Sequence, residues 1–118
     1  MFDFDIFTRV CTQAYKEVPT PYTLQEVLGV FKYFFDSYRE EMGEDHLPIY
    51  KAQIARIIHA MPYYDKPPDN PVCADIDPED YPILIDAYFR TPFRNCDYRI
   101  YNFFSGEVRT LRMYEKLY

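Results

Sequence analysis

The sequence predicts an all-α or mostly α fold, a compact bundle of about five helices within one domain spanning residues 1–118. Three observations carry this. Apolar residues recur at three-and-four spacing over several stretches, the repeat of a half-buried helix. One of those stretches opens with a complete capping signature. Prolines cluster between the stretches, where they stop helices.

The first helix is expected over roughly Phe4–Glu17. Phe7, Val10, Cys11, Ala14, Tyr15 and Val18 fall on one face, and Asp3 or Asp5 can cap the start. Pro19 and Pro21 end it. The second helix opens with Thr23 and Glu26, the T-x-x-E box in which hydroxyl and carboxylate satisfy each other's backbone amide. Tyr22 and Val27 are placed to form the hydrophobic staple. Leu24, Val27, Leu28, Phe31, Phe34 or Phe35, Tyr38 and Met42 run down one side, and Gly43 suits the left-handed position after the last turn.

A third helix should follow after a short turn, with Pro48 in its first turn. Tyr50, Ile54, Ile57, Ile58 and Met61 make its buried stripe, and Pro62 stops it. Residues 62–78 hold five prolines and four aspartates, which reads as an extended Pro/Asp-rich loop anchored by Tyr63, Tyr64, Val72 and Ile76. Asp77 with Pro78, or Asp80, caps a short fourth helix that is apolar nearly all round and therefore central. A buried strand at 82–85 is its alternative. The last segment reads as helix broken at Ser105 and Gly106, with a short β-hairpin near 96–104 as the alternative. The expected core is Phe7, Val10, Leu28, Phe31, Phe35, Ile54, Ile57, Ile58, Leu84 and Leu111.

Hydrophobic residues make up 48% of the chain and aromatic ones 19%, enough to bury a core without help from metal or disulfides. Cys11, Cys73 and Cys96 are odd in number with no close pair. The start "MFDFDIF" carries acids where a secretory signal would carry bases. No apolar run approaches the roughly 18–20 residues of a membrane span. Together these predict a cytoplasmic protein with its cysteines mostly buried.

Several chemistries lack their residues. The three glycines are isolated, so neither a P-loop nor a dinucleotide fingerprint is present, and no cofactor is expected. His46 and His59 lie far apart and the cysteines are scattered, so no metal site is expected. Ser37 and Ser105 are the only serines, and neither sits in a G-x-S-x-G turn. An enzyme is not expected.

The charge points elsewhere. Net charge is −6, and sixteen of the nineteen acids lie in residues 1–89 while the remainder of the chain is net basic. Glu40, Glu41, Glu44 and Asp45 gather where the second helix ends, against its dipole, at a cost of a few tenths of a kcal/mol each. A solvated helix end is the plain explanation. The functional one is an anionic face that docks a protein with a basic surface or, at the extreme, imitates nucleic-acid phosphates. Thirteen tyrosines are more than such a core should hide, and Tyr33, Tyr63, Tyr64 and Tyr101 fall outside the buried stripes, as exposed contacts would. The alternative is a helix-turn-helix regulator that reads DNA through Lys51, Gln53, Arg56 and His59, with basic residues such as Arg109 and Arg112 on the backbone. Self-association is open under either reading; a membrane role is not expected.

Overall fold

A computed structural model describes residues 2–64 and 66–105. Among the described residues five helices follow one another: α1 (Phe4–Glu17), α2 (Leu24–Met42), α3 (Lys51–Ala60), α4 (Tyr81–Arg90) and the single turn α5 (Ile100–Phe103). No strand occurs among the described residues. Neither the hairpin at 96–104 nor a strand at 82–85 forms. The radius of gyration, 13.5 Å, is what close packing gives a chain of this length.

Local signals set the helix ends. Asp3 caps α1 by accepting from the amides of Asp5 at 2.9 Å and Ile6 at 3.2 Å. The Thr23–Glu26 box forms as expected: Glu26 N–H donates to the Thr23 hydroxyl at 3.1 Å, and Thr23 N–H to the Glu26 carboxylate at 2.8 Å. Gly43 closes α2 at φ +74°, its amide bonded to the Arg39 carbonyl at 3.0 Å.

The third helix starts later than expected. Tyr50, not Pro48, stands at its threshold, with extended backbone that swings the side chain off the buried stripe and leaves it 79% exposed. Ile49 takes the core place instead. Met42 is also exposed, because it sits on the last turn of α2 beyond the packed part of that helix. The link from α2 to α3 covers residues 43–50, longer than the turn anticipated.

The 62–78 segment is extended and tied down. Tyr63 and Ile76 are its buried anchors, whereas Val72 is exposed. The Pro62 carbonyl accepts from the amides of Asp75 at 2.9 Å and Ile76 at 3.1 Å, so the loop closes on its own base. Both proposed starts of the fourth helix are used: Asp77 caps a 3₁₀ turn at Pro78–Asp80, which runs straight into α4. Only Tyr81, Leu84, Ile85 and Tyr88 of α4 are buried; Ile83 is exposed, so the helix is not central on all sides.

Helix α2 is the keel. It packs against α1 on one side and α4 on the other, and α3 leans on α1. Phe7 meets Phe31 and Phe35 with ring centroids 5.0 and 5.1 Å apart. Phe34, on the other side of α2, meets Phe89 at 5.4 Å, Phe103 at 5.7 Å and Tyr88 at 6.1 Å. Such pairs contribute on the order of 0.5–1.5 kcal/mol each beyond the area they bury. Of the expected core, Phe7, Phe31, Phe35, Ile54, Ile57, Ile58 and Leu84 are buried; Val10 and Leu28 pack at its edge, and Leu111 lies outside the described residues.

Only one cysteine behaves as a buried hydrophobe. Cys11 is sealed in the core, where burial pushes its thiol up to about 12 and keeps it protonated. Cys96 is half-buried and Cys73 exposed.

Candidate functional site

Tyr33, Asp36, Ser37, Glu40 and Glu41 recur at helical spacing along one flank of α2. That flank faces α4, because the apolar stripes of the two helices interlock beneath it. From α4, Asp86, Phe89 and Arg90 rise to meet it at the same spacing. Between them runs an open groove of about 240 Å³.

Its floor is tied across the two helices. The Tyr33 hydroxyl donates to the Asp86 carboxylate at 2.8 Å, and that bond, reinforced by partial burial, raises the phenol above its usual range. Lys32 pairs with Asp36 at 3.0 Å on the exposed surface, worth little in water. Glu40 and Glu41 are exposed, and no ion pair to either forms among the described residues. The groove thus presents four carboxylates and one guanidinium, with the rings of Tyr33 and Phe89 as apolar walls. Such walls suit the alkyl stem of a long basic side chain whose charged head reaches the acids.

The expected acidic face is therefore gathered only in part. Tyr33, Glu40 and Glu41 come together. Glu44 is exposed beyond the groove, and Asp45 is half-buried and paired with Arg39 at 3.5 Å. Tyr63 is not an exposed contact: it is buried, its hydroxyl donating to the Val72 carbonyl and accepting from the Val72 amide, both at 3.2 Å. Tyr64 is half-buried in the same loop. Asp36, Ser37, Asp86, Phe89 and Arg90 were missed. The α2 members share the helical spacing of Tyr33, so that half was available from sequence. The α4 half required knowing which helix packs there.

The basic set on α3 is dispersed. Lys51 pairs with Glu17 at 2.8 Å. The Gln53 side-chain oxygen accepts from the Tyr50 amide at 3.1 Å and the Tyr101 hydroxyl at 2.8 Å. His59 is half-buried, and Arg56 is exposed beside a shallow hollow lined by Tyr101 and Phe104. A helix-turn-helix pair is joined by about three or four residues, whereas α3 follows a longer link and leans on α1. Arg109 and Arg112 lie outside the described residues.

The chain matches no protein-family model, no curated protein and no solved structure.

Among the described residues, no three His, Cys, Asp or Glu side chains converge to hold a metal ion. Among them, too, no helix is long and apolar enough to cross a membrane. The groove unites Tyr33, Glu40 and Glu41 of the expected acidic face with a concave surface, as the shallow hollow does Gln53 and Arg56 of the basic set.

Proposed function

We propose that the protein acts by binding another protein, and that the groove between α2 and α4 receives a Lys- or Arg-bearing segment of that partner. The observation that carries this reading is the placement of Glu40 and Glu41, unpaired among the described residues, on the rim of a concave surface that also holds Asp36 and Asp86. An exposed acidic rim steers a basic partner from a distance, and the rings of Tyr33 and Phe89 add apolar contact once it arrives. The role is that of an inhibitor or regulator rather than an enzyme. Occupying a nucleic-acid-binding protein's basic surface is one form of it.

The test uses a fluorescent peptide rich in Lys and Arg, titrated by anisotropy at low salt. Glu40→Lys with Glu41→Lys should weaken binding at least about tenfold, or about 1.4 kcal/mol. Asp69→Lys with Glu79→Lys imposes the same change of net charge on exposed sites elsewhere and should shift affinity by less than about twofold. Equal losses in the two variants would reduce the effect to overall charge and remove the groove. Tight binding of duplex DNA by the unaltered protein, lost in Arg56→Glu, would turn the reading to nucleic acid.

A further inference from the structure

We propose that His46 is an acid-sensitive latch: neutral, it fastens α5 to the bundle, and protonated, it releases that turn. His46 is 2% exposed and, tyrosines aside, the one buried polar or charged side chain among the described residues. It sits in the link after α2, ringed by Tyr38 at 4.7 Å, Phe35 at 5.1 Å, Phe34 at 6.1 Å and Tyr101 at 6.5 Å between centroids.

Both ring nitrogens are engaged, and their partners fix the tautomer. Nδ1 lies 2.7 Å from the Leu47 carbonyl oxygen, which can only accept, so Nδ1 carries the proton. Nε2 lies 3.1 Å from the Ile100 amide nitrogen, which can only donate, so Nε2 is bare. The Ile100 amide is the first of α5, one of the donors that a helix start leaves without a partner. Arg99, at the cap position, makes no side-chain bond to it. His46 thus caps α5 across a separation of 54 residues.

A second proton can enter only at Nε2. It would set N–H against N–H and place a full charge among aromatic rings. The surroundings offer little to offset this. Tyr38 from α2 and Tyr101 from α5 bring aromatic rings to the site rather than carboxylates. The bond to the Leu47 carbonyl favours the charge, Arg99 opposes it and Asp97 favours it. The Asp97 carboxylate, however, already accepts from the Arg99 amide at 3.1 Å and the Asn102 side chain at 2.5 Å. On its own link, Asp45 is paired with Arg39. Burial dominates and holds the imidazole below its ordinary value near 6.5.

The sign follows. Unfolded or released, the imidazole binds its proton near pH 6.5; latched, it binds only at lower pH. In that window the open form holds more protons, so the latch is complete above about 6.5 and is lost as pH falls below it. One turn of helix cannot persist alone. Release is opposed by the burial of Ile100 and Phe103 and by ties such as Tyr101 to Gln53 at 2.8 Å and Tyr88 to the Arg99 carbonyl at 3.2 Å.

Amide exchange followed by NMR, corrected for intrinsic rates, tests this on the whole chain. Ile100 should lose up to about tenfold of its protection between pH 7.5 and 5.5, while the Phe31 and Ile54 amides hold theirs. His46→Gln keeps an acceptor that cannot titrate, so its Ile100 protection should not vary with pH. His59→Gln should behave as the unaltered protein. A protected Ile100 at pH 5.5 with a fully protonated His46, or a pH step that survives in His46→Gln, would overturn the latch. Imidazole nitrogen shifts at pH 7.5 need no variant: a proton on Nε2 instead of Nδ1 would overturn it equally.

Discussion

Tyr81 ends in a hydroxyl that donates to the Met61 carbonyl, with both residues sealed from solvent. Met61 stands at the end of α3, where carbonyls lose their helical partners. The phenol thus completes a helix terminus from a different helix. The same device recurs: Tyr22 donates to the Ile76 carbonyl at 2.5 Å, Tyr15 to that of Tyr22 at 2.6 Å and Tyr98 to that of Thr91 at 2.5 Å. Much of the tyrosine content therefore secures loops and helix ends rather than lining the surface, since a ring can be buried while its hydroxyl reaches a carbonyl no amide can serve. Tyr81→Phe should destabilise by about 1–3 kcal/mol, the cost of leaving a buried acceptor unmet, with an unchanged urea slope. Tyr50→Phe, on an exposed ring, should stay within about 0.5 kcal/mol. Equal urea midpoints for the two variants would show that the Met61 carbonyl has another donor.

Helix α2 has one glycine within it and one just past its end, in opposite circumstances. Gly29 lies mid-helix on an exposed face with nothing within 4 Å of where a Cβ would sit. Gly43 has equal room but φ +74°. Gly29→Ala should therefore stabilise by about 0.5–1 kcal/mol, through lower backbone entropy in the unfolded chain. Gly43→Ala should destabilise by about 1–2 kcal/mol, the steric cost of a left-handed alanine. Thermal melts of the two variants should move in opposite directions; a shared direction would mean that space, not backbone angle, decides. These helix ends were legible because capping is local: Thr23, Glu26 and Gly43 act on groups within one turn. Pro48 misled because a proline suits a first turn and an extended approach equally well, and the helix begins only after Tyr50, whose backbone is extended. Tyr50 and Met42 were misassigned for a related reason, as periodicity continues past the point where a helix stops or packing ends. The groove was half legible. Its α2 side is a pattern within one helix, but its α4 side depends on a pairing between residues more than forty apart, which no local spacing encodes.

Taken over the whole chain, the latch sets a bound on acid sensitivity. Were His46 held neutral with no way out, each unit of pH below its window would cost about 1.4 kcal/mol of stability, without limit until the buried ring itself titrated. A latch behaves differently. The ring escapes its pocket when α5 opens, so the loss saturates at the free energy of that local opening, and the helices around α2 remain folded. Urea unfolding can tell the two apart. Where the shift of the His46 equilibrium is enough to leave α5 mostly open at pH 5.5, less surface remains to be exposed, so the slope of stability against urea should fall along with the midpoint. In His46→Gln the slope should be the same at pH 7.5 and 5.5. A midpoint that falls with a constant slope would place the acid effect on global unfolding alone, and would leave the bundle a single cooperative unit with His46 as an ordinary buried base.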